Sequence, residues 1–265
     1  MSLRIIRKDK EILVFPVISG LLTILILASF VGGMFLTGGL SGMEDEANKW
    51  VFYVFFAVFY FVSFFITIFF NACMIGCATI RMNGGDPTAR DGLRIASQNI
   101  GRILAWTLFT ATVGLIIRAV QERLGLIGKL IMGAIGVAWT IVTYFVVPVL
   151  IYEQLGPWGA VKRSASILKK TWGEALVGNL GIGIIFGLLA IPGVFLIFLG
   201  IYGILAWGLA IGVTLFAIAI VYLVAIAVVS TAAEAVLVAA LYRFATTGKV
   251  SEEFQDFSFQ QPFAR

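Results

Sequence analysis

Residues 204–244 read ILAWGLAIGVTLFAIAIVYLVAIAVVSTAAEAVLVAALYRF, with Glu234 and Arg243 as the only formally charged residues. A bilayer core of about 30 Å is crossed by about 20 helical residues, so a run of this length and polarity is a membrane span. As one helix it would extend about 60 Å at 1.5 Å per residue. It must therefore tilt, bend or continue past the membrane; division into two spans near Ser230 is the alternative.

Working outward, apolar runs separated by charged or turn-rich breaks place spans near 12–36, 50–80, 103–119, 130–152, 175–199 and 204–244. The whole composition agrees. The chain has 265 residues, is 60% hydrophobic and 12% charged, and has a mean hydropathy of +1.03, whereas soluble domains are nearer 45–50% apolar and about 25% charged. The expectation is an all-α, polytopic transmembrane helix bundle, forming a single domain over residues 1–248 and followed by a cytoplasmic tail, 249–265. Arg4, Arg7, Lys8 and Lys10 before the apolar run from Ile12 imitate a signal peptide. That run exceeds a usual h-region of about 7–15 residues and no small-x-small site follows it promptly, so an uncleaved first span is expected.

Charge placement sets the orientation. Six spans put 15 of the 19 basic residues on one side and leave Lys49, Arg118, Arg123 and Lys129 on the other; a seventh span would change 15:4 to 12:7. The positive-inside rule then favours six spans with both termini cytoplasmic, in a plasma or inner membrane. Glu44, Asp45 and Glu46 fall in the first outside loop. The net charge of +5 is accounted for by this distribution, and no nucleic-acid partner is expected.

Catalytic chemistry finds little purchase. There is no histidine, which removes the Ser–His dyad, the common zinc sets and the usual general base. Cys73 and Cys77 lie in an apolar run and read as small helix-contact residues. No aspartate pair lies within the spans, and no nucleotide-binding loop is present. The chain is expected to be no enzyme and to need no cofactor or metal.

Two connections read as amphipathic interfacial helices, about 87–102 and 157–173. In the second, Trp158, Val161, Ala165, Leu168 and Trp172 recur at helical spacing, opposite Lys162, Arg163, Ser166, Lys169 and Lys170. In the first, Ala89, Leu93, Ala96, Ile100 and Ile103 form the stripe, opposite Arg90, Asp91, Arg94, Gln98 and Arg102. A shift of 72 residues superimposes the stripes, and a shift of 163 places Asn71-Ala72 on Glu234-Ala235; together they indicate a partial internal repeat. Such helices suit an interface rich in anionic headgroups. Packing against the span ends, with the basic face merely solvated, is the other reading.

Asn71 lies ten residues before Arg81 and Glu234 nine before Arg243, so each sits about 15 Å deep if the arginines mark the inner interface. Polar groups at such depth are candidates for a midplane site; the competing reading makes them interhelical hydrogen-bond partners. Thr67, Thr140, Thr143, Tyr144, Asn179, Ser230 and Thr231 are possible extensions of that network. Glu153 is an interfacial acid expected to pair with a basic residue of an amphipathic helix. The Gly183/Gly187 and Gly208/Gly212 spacings favour close helix contact, within the chain or between copies. Phe254, Phe257, Phe259 and Phe263 give the tail an apolar component.

The stretch Pro148–Pro157 (PVLIYEQLGP), with Ala160–Ser164 (AVKRS) and Leu168–Gly173 (LKKTWG), resembles a family of bacterial and archaeal six-span membrane proteins of unknown function. Arg7–Glu11, Phe69–Ala72, Gly85–Gly92 and Leu241–Ala245 look like its other landmarks. The resemblance covers nearly the whole chain, implies six spans with cytoplasmic amphipathic segments, and brings no activity. The wider group is similar to the membrane portion, not the catalytic domain, of some glycerophosphodiesterases.

Two functions from different classes follow. One is a non-enzymatic protein that organises lipids or partner proteins at the cytoplasmic face, through Arg94, Arg102, Lys162, Arg163, Lys169 and Lys170, alone, as a homo-oligomer or in a complex. The other is a transporter or channel for a small solute, ion or lipid that uses Asn71 and Glu234.

Overall fold

A computed structural model describes residues 5–6, 9–36 and 49–248. Among these residues there are helices and turns and no strand, because backbone surrounded by lipid has no water to bond and a helix satisfies it locally. A 3₁₀ turn at Lys10–Leu13 leads into α1 (Val14–Leu36). Then come α2 (Lys49–Met82), α3 (Ala89–Gln98), α4 (Ile100–Arg123), α5 (Leu126–Val142), α6 (Val146–Tyr152), α7 (Pro157–Ala206) and α8 (Leu209–Thr247). Six stretches are long and apolar enough to cross a membrane, at Lys10–Phe35, Tyr53–Met82, Ile100–Arg123, Gly128–Tyr152, Gly181–Ala206 and Leu209–Thr247. α8 runs unbroken through Ser230, so the count is six. The acidic cluster at 44–46, the tail 249–265 and the side chains of Trp172 and Asn179 lie outside the described residues.

The fourth span is not one helix, as the sequence had implied. Pro148 has no N–H, and its ring crowds the carbonyl four residues earlier, that of Tyr144. The helix gives way there. Thr143 N–H still reaches the Trp139 carbonyl at 3.0 Å, Tyr144 N–H tightens to that of Ile141 at 3.2 Å, and Phe145 N–H leaves the ladder and donates to Ser164 Oγ at 3.0 Å. Ser164 is fully buried, so this bond satisfies a donor that lipid could not.

α7 joins the second expected interfacial helix and the fifth span into one element, bent at Thr171 (φ −122°, ψ 23°). Its outer part turns at Gly208 (φ +99°) and packs along α8 through glycines. A Cβ on Gly193 would stand 2.6 Å from Leu223 Cδ2, and one on Gly200 would stand 2.9 Å from Phe216 N; Gly203 and Gly212 face each other across the same seam. The expected pair Gly183/Gly187 makes no such contact, since a Cβ at either would meet nothing within 4 Å. Those two glycines lie about 80–120° round the helix from Gly193, off the face turned to α8.

α3 is a capped helix. Thr88 Oγ1 accepts from Asp91 N–H, and Asp91 Oδ2 accepts from Thr88 N–H at 3.1 Å and from its hydroxyl at 2.6 Å; Glu11 accepts from Ala89 N–H at 2.6 Å. Four orphan donors at a helix start make this geometry favourable. The Thr88 hydroxyl and amide hold the Asp91 carboxyl below its ordinary range. A carboxyl lowered by folding stabilises above its unfolded value and loses that contribution as pH falls through its folded value. Amide exchange of the first turn of α3 is therefore expected to stay slow through the usual aspartate range and to quicken only at lower pH; in Asp91→Asn that pH dependence disappears.

The buried face of α3 differs from the expected stripe. Gly92, Ala96 and Asn99 face inward, while Leu93 and Ile100 are 39% and 45% exposed. Gly92 decides this, because it lies against Cys73 and Cys77 of α2 with no room for a Cβ, while Ile95 fits over Gly76.

Apart from Ala219 and the glycine seam, burial is concentrated in one half of the bundle. The core gathers Ile12 and Phe15, Ala72–Ala78 of α2, Phe145–Ile151 (except half-buried Val147), Ile167 and Leu168 of α7, and most of 232–242 of α8. All of it lies toward the end that carries the charged turns. Ala232, Ala233, Ala235, Ala239 and Ala240 keep α8 narrow, so neighbours close around it. Beyond that layer, 181–206 and 209–230 present mostly exposed apolar side chains.

Candidate functional site

At the charged end a set of ties locks the helices together. Arg81 at the end of α2 pairs with Asp9 and Asp86, and Arg243 of α8 donates to the Met82 carbonyl. Arg163 reaches Glu153 at 2.7 and 2.8 Å, and Tyr242 OH donates to the same carboxylate at 3.1 Å. Arg102 donates to the carbonyl and side-chain oxygen of Gln154 at 3.1 and 3.3 Å, and to Asn99 at 2.8 Å. Arg81 with Asp9, Arg102 with Gln154, Tyr242 with Glu153 and Arg243 with Met82 lie 52 to 161 residues apart along the chain, beyond the reach of any local pattern.

The six basic residues singled out from the sequence thus divide. Arg102 and Arg163 are spent on internal ties, and Arg94 pairs with Asp91 of its own helix at 3.1 Å. Lys162, Lys169 and Lys170 are exposed on one face of α7 and form no ion pair among the described residues. Lys162 lies over the Trp158 ring, 5.5 Å from its centroid, and Trp158 is itself 59% exposed. Trp158 leans edge-on against Phe109, which continues into Trp139 and the stacked Trp106.

Deeper in the membrane a second polar group assembles. The Tyr242–Glu153 bond sets α8 level with the end of α6. Counting inward, Glu234 lies eight residues before Tyr242 and Tyr144 nine before Glu153, about 12–14 Å. From Met82, level with Arg243, Asn71 comes within about one further turn. Asn71 Oδ1 and Tyr144 OH are buried without a hydrogen-bond partner among the described residues. Glu234 is exposed, although Ala232, Ala233, Ala235, Val236 and Leu237 around it are buried. Ser230 lies one turn earlier on the same helix. No hydrogen bond joins Asn71 to Glu234 among the described residues. The threonines offered as extensions turn back on their own helices: Thr67 to Ser63, Thr140 to Gly136, Thr143 to Trp139 and Thr231 to Ala227, at 2.8–3.1 Å.

No group of three or more metal-ligating residues forms among the described residues. Six apolar helices tied at one end by ion pairs define a multi-pass helical membrane protein. The chain belongs to a family of unknown function, DUF6159, whose model matches residues 50–252; the match takes in every helix after α1. No curated protein and no solved structure matches it.

Proposed function

We propose that the protein is a non-enzymatic membrane component that gathers anionic lipid at the cytoplasmic face through α7. The observation that carries this reading is the division of six basic residues: Arg94, Arg102 and Arg163 are tied within the chain, and Lys162, Lys169 and Lys170 are left together on one exposed face with no ion pair among the described residues. Charge that stabilises the fold need not point outward; charge that does so without a partner is available to headgroups. Trp158, Leu93 and Ile100, all exposed at the same end, suit the boundary between headgroup and acyl chain. The positive-inside rule assigns that end to the cytoplasm.

We include in this reading the internal repeat that the sequence suggests. Thr171, the bend in α7, falls 72 residues after Asn99 (φ −110°, ψ 13°), where α3 gives way to α4. Both are buried polar residues at a joint between a short helix and a span. We read the two as copies of one unit in which an interfacial helix feeds a span.

The test is lipid retention by the full chain, purified in mixed phosphatidylglycerol and phosphatidylcholine. Each of Lys162→Gln, Lys169→Gln and Lys170→Gln should weaken retention of the anionic lipid roughly fivefold, and Arg94→Gln should change it little. Equal retention by the triple variant and the unaltered chain would sink the proposal.

A further inference from the structure

A continuous aromatic run crosses three helices beside the lysine face. The Trp158 ring of α7 meets Phe109 of α4 at 6.3 Å between centroids, Phe109 meets Trp139 of α5 at 6.1 Å, and Trp139 stacks on Trp106 of α4 at 6.2 Å. Exposure falls along it: Trp158 is open, Phe109 and Trp139 are half-buried, and Trp106 is buried. The run also crosses levels. Arg102 donates to the Gln154 carbonyl in the turn before α7, and Phe109 lies seven residues further along α4, about 10 Å deeper. Trp158, which follows that turn, therefore leads from the headgroup level toward the upper acyl chains, a depth that indole rings favour.

Lys162 is fixed at the outer end of this run. Its Nζ stands 5.5 Å from the Trp158 ring centroid. The carboxylates described at the charged end are already engaged: Asp9 and Asp86 by Arg81, Asp91 by Arg94, Glu153 by Arg163, and Glu11 by the Ala89 amide. None of them neutralises Lys162. Lys169 and Lys170 are equally exposed but have no ring beneath them among the described residues. A lysine already resting on a ring has less side-chain freedom to lose when an anion binds, and the ammonium donors turned away from the ring suit a phosphate.

One kind of molecule meets both features. A free phosphate ion would engage the ammonium and leave the aromatic run bare, whereas a phospholipid brings a phosphate and an acyl chain at the matching separation of levels. Its net charge matters as well. Lys162 occupies the ring face on which a choline cation would rest, and repels that cation, so a neutral choline lipid is disfavoured there.

We infer that Lys162 and Trp158 hold one anionic glycerophospholipid in a fixed seat, with its phosphate on Lys162 and one acyl chain along Trp158 and Phe109. This rests on the lipid-gathering reading of α7 and sharpens it from a charged face to a defined site.

Trp158→Leu separates the two, because it leaves every lysine in place. In the full chain purified in mixed phosphatidylglycerol and phosphatidylcholine, it should lower retention of the anionic lipid about fivefold, as Lys162→Gln does, and Trp158→Phe, which keeps a ring, should restore most of it. Quenching by lipids brominated in the upper part of one acyl chain supplies a second readout. The emission that Trp158→Phe removes should be quenched by brominated phosphatidylglycerol at about a fivefold lower mole fraction than by brominated phosphatidylcholine, and Lys162→Gln should remove most of that difference. Retention that depends on the lysines but is unmoved by Trp158→Leu overturns the seat and leaves the charged face standing. Equal quenching by the two lipids does the same. Retention indifferent to all three lysines overturns both.

Discussion

Arg81→Met should lower the stability of the bundle by about 3–5 kcal/mol, the cost of leaving a buried charge without its partner. Of the two acids that Arg81 holds, Asp86 is 90% exposed and Asp9 only 4%. Water can take over from Arg81 at Asp86, as it does for surface pairs in general. At Asp9 it cannot, because the carboxylate is enclosed between the turn before α1 and the end of α2. The loss therefore comes almost wholly from the Asp9 leg. A double variant, Asp9→Leu with Arg81→Met, removes both charges and should recover most of the stability. Unfolding of the three variants in one detergent separates the possibilities; a single variant as stable as the unaltered chain would mean that Asp9 finds another partner.

Gly92→Val should cost about 3 kcal/mol, at the upper end of what overpacking usually brings. A Cβ at this position would stand 2.7 Å from Phe15 Cζ, 2.8 Å from Cys77 Sγ and 3.0 Å from the Cys73 carbonyl oxygen. The ring could turn aside, but the backbone oxygen of α2 cannot without moving the helix. α3 would be pushed off α2, and the bond from Cys77 Sγ to the Thr88 carbonyl at 3.5 Å would go with it. Cysteine labelling reports the displacement directly: Cys77, buried and free, should become reactive in Gly92→Val. Relief by Phe15→Leu should be partial, since it frees only one of the three sides.

The spans were legible in the sequence because lipid imposes one requirement on every exposed position, and a continuous apolar run satisfies it visibly. Of the ties at the charged end, the pairing of Glu153 with a basic residue of the neighbouring helix was legible, and Arg163 fills that place; the others were not. Asp9 with Arg81, Arg102 with Gln154 and Arg243 with Met82 are meetings between distant parts of the chain, and nothing near Arg102 distinguishes it from Lys169. The face of α3 was misread for a different reason. Size and hydropathy favoured Leu93 as the inward residue, but the space beside Cys73 and Cys77 of α2 admits only a glycine. Pro148 did carry a signal for the break at Tyr144, masked by the apolar run on either side. Asn71 and Glu234 were legible as residues at similar depth, while the burial of the Tyr144 hydroxyl without a partner among the described residues was not.

The unequal packing of the two halves also sets how freely the chain can vary. Where a side chain touches only acyl chains, as along most of 181–206 and 209–230, it is constrained by oil solubility and not by shape. Leucine, isoleucine, valine and phenylalanine are then nearly interchangeable, apart from the glycine seam. In the closed half, where Ala232 and Ala72 are fully buried among neighbours, one added methyl group has nowhere to go. The protein thus joins a nearly free text to a nearly fixed one, and Glu234 stands at the line between them.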